Sequence, residues 1–222
     1  MEFITVRVSR EDRIQEYAGC QNEDPMNGKS YLKDCRRRLE ATGQAYLDNV
    51  HHIDPRSVRV TLREVGFEQL PRIRSISETV RGSWSDACSL CSLTGLDIYA
   101  ASVHRFLQGG AWSETEFYKR VWKRIQSGES KFGCRTIAEF HARLEYDEEL
   151  FLSLRRYGYK SQRDLGNDNA LDEVLVARGH DGALILLDGR HRLIYSQLLE
   201  LPSIPVTVLV KHKTSSTQGE GW

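Results

Sequence analysis

The chain has 222 residues and carries no net charge, because 31 Lys and Arg side chains balance 31 Asp and Glu side chains. Its apolar fraction of 40% is that of an ordinary globular protein and excludes a fully disordered or fibrous chain. Proteins that wrap nucleic acid by bulk charge are normally basic, so the balance disfavours that class and leaves only a local basic groove open. The sequence shows neither an opening signal peptide nor an apolar run of the ~20 residues that span a bilayer. We therefore expect a cytoplasmic protein without membrane contact.

The first 49 residues predict an N-terminal segment of short extended and helical structure. Residues 1–10 favour a short strand, and Ser30–Asn49 is predicted to form an amphipathic helix. The basic run Arg36–Arg38 is interpreted as a solvated helix face, because long charged side chains favour exposed positions. Next, Ser57–Leu62 alternates apolar and polar residues, the pattern of a half-buried strand.

Helix boundary signals are frequent between residues 97 and 158. Ser, Thr and Asp side chains cap helix starts, and a Glu three residues after Ser or Thr completes a capping box. Four starts of this kind are predicted, at Asp97, Ser113, Thr136 and Asp147. Glycines end helices, so we expect the first helix to end at Gln108 and the last at Gly158. This part of the chain is therefore predicted to be mostly helical.

The C-terminal third changes character. Two short apolar runs, Val174–Ala177 and Ala183–Leu187, are joined by a glycine-containing turn and predict a β-hairpin. The pentapeptide Asp188–Arg192 and a helix follow, and Val206–Val210 is a predicted buried strand. Residues 214–222 are predicted to be a flexible tail.

The pentapeptide Asp-Gly-Arg-His-Arg carries the side chains best suited to chemistry. A helix start receives phosphate through its unpaired N–H groups, and Gly189 allows close backbone approach. Arg190 and Arg192 offer planar forks to phosphate oxygens, while His191 can donate a hydrogen bond or carry a proton. Asp188 can hold Mg²⁺ or accept a proton. The sequence thus predicts a phosphate site, although a capping Asp188 with arginines in surface ion pairs stays an open alternative.

These residues resemble the ParB N-terminal/sulfiredoxin superfamily. The positions that carry the resemblance are Leu186–Leu193, Leu198, Leu201, Ile204–Val206, Leu152–Gly158, Gln162 and, more loosely, Ile53–Pro55. The resemblance implies an α+β fold, a small mixed β-sheet with flanking helices. Residues 50–63 and 141–213 would form this core, and residues 64–140 a mostly helical insertion. The chain is also similar to an uncharacterised subgroup through Gly110, Trp112, Phe117, Tyr118, Gly158, Tyr159 and Gln162.

In that superfamily the matching loop binds nucleotide phosphates. The resemblance therefore implies phosphate contacts from Gly189, His191 and Arg192. Arg190 stands where sulfiredoxins carry their reactive cysteine, which counts against sulfinic acid reduction. Among the activities known in the superfamily, a small-molecule kinase is therefore the favoured hypothesis. A non-catalytic nucleotide- or nucleic-acid-binding module and a ParB-like nuclease stay open.

We therefore expect a phosphotransferase that moves the terminal phosphate of ATP, or another nucleoside triphosphate, to a small hydroxyl compound with Mg²⁺. Asp188 is the predicted metal ligand or base, and His191 is a further catalytic candidate. Glu173, which enters the first hairpin strand beside Asp172, is a second catalytic candidate, with a strand-edge charge pair as the alternative. Gln162 is predicted to contact the nucleotide or substrate from the preceding turn.

Cys88 and Cys91 have the spacing of a metal-binding or redox pair. A lone CxxC without a second pair is a weak signal for zinc. Two ordinary buried thiols are therefore the favoured interpretation.

Overall fold

The computed structural model describes residues 28–40 and 49–213. The predicted N-terminal strand and C-terminal tail lie outside the described residues. The helices are α1 (Gly28–Glu40), α2 (Glu64–Gln69), α3 (Asp97–Phe106), α4 (Glu116–Gln126), α5 (Ile137–Tyr157) and α6 (Arg190–Leu198). The strands are β1 (Val50–Ile53), β2 (Val58–Leu62), β3 (Glu78–Val80), β4 (Leu90–Ser92), β5 (Val174–Arg178), β6 (Leu184–Asp188) and β7 (Ile204–His212).

The strands form one mixed sheet, so the predicted α+β class is confirmed. Strand order is β1-β7-β5-β6-β2-β4, and β3 pairs with the last residues of β7. Strands β5 and β6 form the predicted antiparallel hairpin, whereas β5 with β7 and β2 with β6 are parallel pairs. The carboxyl ends of β6 and β2 therefore lie next to the amino end of β5, at the same end of the sheet.

Helices cover both faces of the sheet. In β6, Leu186 packs in a core with α3 to α6, while Ile185 and Leu187 pack in a second core with α1 and α2. Because both faces are buried, β5 and β6 read as continuous apolar runs rather than as alternating patterns. The end of β6 consequently lies between two helical layers.

Helix α5 is continuous, and the predicted new helix start at Asp147 is wrong. Its capping box at Thr136 and Glu139 forms as predicted, and Gly158 ends the helix with a φ of 72°. No Gly or Pro lies between Thr136 and Gly158, and the Asp147 side chain lies on the buried side of the helix with 1% exposure. A buried position on the apolar face therefore outweighed the general preference of Asp for helix starts.

The starts of α3 and α4 differ from prediction by one or two residues. Asp97 is the first helical residue rather than the cap, because its carboxylate pairs with Arg120 of α4 at 2.6 Å. Thr115, not Ser113, caps α4 by accepting a hydrogen bond from Tyr118 N at 3.2 Å. A short 3-10 turn occupies the predicted capping box.

Other boundaries also shift. Helix α3 ends at Phe106 rather than Gln108. Helix α1 begins at Gly28 rather than at the predicted Ser30, and residues 41–48 of the predicted helix Ser30–Asn49 lie outside the described residues. Residues 64–140 contribute helices together with β3 and β4, which pair with β7 and β2. This segment is therefore integrated into the sheet, and its origin as an insertion stays a prediction. In residues 28–40 and 49–213, no helix is both long and apolar enough to cross a membrane.

Candidate functional site

A cavity of about 310 Å³ opens where β6 ends and α6 begins. Helix α1 lines it with Lys29, α5 with Arg143 and Tyr146, and the junction of β6 and α6 with the whole pentapeptide Asp188–Arg192. Phe132, Thr61 and residues of β6 complete the wall. Four of the predicted phosphate-binding residues, Gly189 to Arg192, thus border one cavity together with two further cationic side chains.

Gly189 is the N-cap of α6 and has a left-handed backbone with a φ of 84°. A Cβ at this position would lie 3.0 Å from both Cα and Cγ2 of Val174, so the loop packs directly against β5. Asp188 Oδ1 accepts a hydrogen bond from Gly189 N at 2.8 Å. Asp188 therefore stabilises the turn but is not itself the helix cap.

Arg36 of α1 joins two carboxylates beside the loop. Its Nη1 lies 2.5 Å from Asp172 Oδ1, and its Nη2 lies 3.0 Å from Asp188 Oδ2. The Arg36 side chain is 29% exposed and the Arg38 side chain 17%, against 80% for Arg37. The prediction of a solvated basic run thus holds for Arg37 alone, because its two neighbours bind partners across the fold.

The predicted metal role of Asp188 depends on how many of its oxygens are engaged. Oδ1 accepts from Gly189 N, and Oδ2 pairs with Arg36. No group of three or more His, Cys, Asp or Glu side chains suited to a metal ion occurs in the part of the chain that the structure describes, around Cys88 and Cys91 included. The interpretation of these two cysteines as buried thiols is wrong, because Cys88 is exposed and Cys91 is disulfide-bonded. Mg²⁺ commonly binds one or two carboxylates together with substrate phosphates. Both oxygens of Asp188 already have a partner, so a metal ion would have to share them with Gly189 N or Arg36, and the metal role of Asp188 stays a prediction.

His191 contacts a buried carboxylate that the sequence analysis did not assign to the site. Its Nδ1 lies 2.9 Å from Oδ1 of Asp147, and Arg143 Nη2 lies 3.2 Å from the same oxygen. Tyr195 OH lies 3.4 Å from the same Nδ1. Burial raises the pKa of Tyr195, and the Asp147 charge adds to this effect, so the phenol keeps its proton. Asp147 was missed because it was interpreted as a cap.

One sequence signal could have found Asp147. It follows Leu144 by three residues and precedes Phe151 by four, and both of these are buried core residues. Residues at these spacings share one helix face. A carboxylate on the apolar stripe of a helix requires a polar partner inside the protein. The spacing predicts that a partner exists, and the structure identifies it as His191.

Arg192 anchors α6 to the chain just before β5. Its Nη1 donates to Asp172 O at 2.6 Å and to Tyr159 OH at 3.3 Å, and its Nη2 donates to Glu173 O at 3.2 Å. The guanidinium therefore ties the start of α6 to the segment before β5, although the side chain also borders the cavity. A phosphate contact by Arg192 stays a prediction.

The structure does not bring Glu173 and Gln162 to the cavity wall. Glu173 is fully buried, and its Oε1 accepts a hydrogen bond from Gln162 N at 2.6 Å. Its Oε2 accepts from Tyr159 OH at 3.4 Å, and burial raises the pKa of Tyr159. The alternative of a strand-edge charge pair does not describe this buried position. Both predicted site residues instead stabilise the turn after α5, whose Tyr159 hydroxyl contacts Arg192.

No family model matches this chain, and neither a curated protein nor a solved structure matches it. The resemblance to the ParB N-terminal/sulfiredoxin superfamily is therefore not tested by these comparisons.

Proposed function

We propose that the cavity binds the phosphates of a nucleoside triphosphate and that the protein transfers the terminal phosphate to a small hydroxyl compound. The observation that carries this proposal is the concentration of positive charge around the start of α6. Lys29, Arg143 and Arg190 come from three separate helices and line one cavity. Such side chains attract phosphate, and the first N–H groups of a helix add to that attraction.

The Asp188 carboxylate at the cavity wall suits one of the remaining needs of phosphoryl transfer. The reaction requires positioned phosphates, charge neutralisation by Mg²⁺ and a group that takes the acceptor's proton. Asp188 borders the cavity and would hold Mg²⁺ bound to nucleotide phosphates. When bound, the metal neutralises charge that develops on the transferring group. A cytoplasmic ATP-dependent kinase is the specific form of the proposal, with another nucleoside triphosphate as the alternative cosubstrate.

We also propose that the chain belongs to the ParB N-terminal/sulfiredoxin superfamily. The order hairpin, glycine loop, helix and final strand supports this proposal. The hairpin strand β5 lies between β6 and β7, and α6 starts directly after β6. In that superfamily the corresponding loop binds nucleotide phosphates, which agrees with the charge of the cavity here.

Isothermal titration calorimetry with ATP, CTP, GTP and UTP, each with and without Mg²⁺, tests the binding step. Replacing Arg190 by Ala removes one planar fork from the cavity, and we expect nucleotide affinity to fall about 10-fold or more. Arg155→Ala is the matched control, because Arg155 is an exposed residue of α5 outside the cavity lining and loses the same charge. Equal affinities of the two variants would contradict a phosphate role for Arg190.

Phosphorus NMR of ATP, Mg²⁺, protein and a panel of hydroxyl compounds tests the transfer step. We expect a new phosphomonoester signal together with nucleoside diphosphate. Tight nucleotide binding without any product from the panel, and without hydrolysis, would contradict the phosphotransferase and favour a binding module instead.

A further inference from the structure

Asp147 of α5 and His191 of α6 form a side-chain pair between the two helices. Oδ1 of Asp147 lies 2.9 Å from Nδ1 of His191, and the Asp147 side chain is 1% exposed. Across residues 28–40 and 49–213, no donor makes a well-aligned hydrogen bond to this oxygen. Leaving a buried carboxylate oxygen without a hydrogen bond costs free energy. A proton on the nearby Nδ1 therefore satisfies the buried acceptor, with a small rotation of the imidazole.

We propose that Asp147 is a positioning residue that keeps the proton of His191 on Nδ1, so that Nε2 accepts the proton of a substrate hydroxyl. This inference rests on the proposed phosphotransferase and names the base of that reaction. His191 borders the cavity, and its polar contacts to described residues are made through Nδ1. In ligand-free enzymes, catalytic hydrogen bonds are often poorly aligned and tighten when substrate binds.

Tyr195 explains why a positioning residue is needed. Its hydroxyl lies 3.4 Å from Nδ1 of His191 and can act as a donor because its proton is retained. A donor at Nδ1 favours the tautomer with the proton on Nε2, which cannot accept another proton. An ionised carboxylate only accepts hydrogen bonds, so Asp147 selects the opposite tautomer. The guanidinium of Arg143, 3.2 Å from the same carboxylate oxygen, adds a positive partner for its charge.

The reaction balances without any further reactant. The substrate oxygen attacks the terminal phosphorus of the nucleoside triphosphate while its proton passes to Nε2 of His191. The bond between that phosphorus and the bridging oxygen breaks, and the nucleoside diphosphate leaves with the electron pair. The imidazolium, stabilised by the neighbouring Asp147 carboxylate, then releases its proton to water.

The experiment compares Asp147→Asn with Glu145→Gln. Glu145 is an exposed residue of the same helix, and its substitution makes the same change from carboxylate to carboxamide. The Asn side chain carries an amide N–H donor, so together with Tyr195 it offers two donors to Nδ1, and we expect the proton to move to Nε2. We expect kcat to fall about 10²- to 10⁴-fold in Asp147→Asn, with the nucleotide KM changed less than about twofold. Glu145→Gln should match the wild type in both constants.

Nitrogen NMR of labelled histidine gives a second readout that a purely structural role would not move. Neutral His191 should carry its proton on Nδ1 in the wild type and on Nε2 in Asp147→Asn. The wild-type spectrum tests the inference even if the variant fails to fold. An Nε2–H tautomer in the wild type, or a variant kcat within about threefold of wild type, overturns the inference while nucleotide binding still supports the proposed function. A wild type without nucleotide affinity overturns both.

Discussion

Replacing Gly189 by Ala tests how tightly the loop is built against the sheet. The backbone there has a φ of 84°, and a non-glycine residue in this region costs about 1–2 kcal/mol. The new Cβ would also lie 3.0 Å from two atoms of Val174 and 3.3 Å from Arg192 Nη2. Overpacking of this kind costs about 1–3 kcal/mol. The free energy of unfolding should therefore fall by about 2–5 kcal/mol in total.

Gly182 provides a matched control. It lies in the turn of the β5–β6 hairpin with a φ of 83°, and a Cβ there would meet nothing within 4 Å. Gly182→Ala should thus lose only the backbone part, about 1–2 kcal/mol. The difference between the two variants isolates the contact of Gly189 with β5, because the φ angles of the two glycines differ by only 1°.

Urea unfolding followed by far-UV circular dichroism measures both changes, with equal m-values required for the comparison. Equal destabilisation of Gly189→Ala and Gly182→Ala would refute the argument from close packing. A Gly189→Ala variant as stable as the wild type would refute the argument from backbone conformation as well.

Two further substitutions test contacts that hold α6 and α5 in place. Arg192→Lys replaces a fork that donates to Asp172 O, Glu173 O and Tyr159 OH, so we expect about 1–3 kcal/mol lower stability by urea unfolding, and no loss would contradict the anchoring role. Glu148 accepts from Arg105 Nη2 at 2.8 Å, which lowers the pKa of that carboxyl from its usual 4.5. A lowered folded-state pKa contributes stability above pH ~4.5 that is lost as pH falls through the folded value. Glu148→Gln should therefore be about 1–3 kcal/mol less stable than wild type at pH 7, with a smaller difference at pH ~3, whereas a difference that stays constant with pH would argue against this ion pair.

The local parts of the fold could be predicted from the sequence because local chemistry determines them. The β5–β6 hairpin follows from two apolar runs around a glycine turn, and the α5 start follows from the capping box at Thr136. The turn at Gly189 was predicted at the correct place between a strand and a helix, although Asp188 is the last residue of β6 and Arg190 is already the first residue of α6. Each of these features is specified by residues within a few positions of one another.

The residues that were misjudged are those whose environment is formed by distant parts of the chain. Asp147 is a residue type that commonly caps helices, yet its helix continues because neighbouring apolar residues bury the helix face on which Asp147 lies. Arg36 lies in a basic run that is typical of solvent exposure, but it bridges carboxylates that follow far later in the sequence. Glu173 looks like an exposed catalytic carboxylate and is instead fully buried. Periodicity assigns a face to such residues without showing what that face meets.

The position of the cavity follows from the layering of the fold. Helix α1 packs on the sheet face that contains Ile185, and α5 packs on the face that contains Leu186. Side chains from both layers can meet only where a strand ends, because the sheet separates them elsewhere. The end of β6 is such a point, and there Lys29 of α1 and Arg143 of α5 line the same cavity. A glycine turn at this strand end places a helix start beside cationic side chains from both layers, which is why the positive charge of the proposed phosphate site concentrates there.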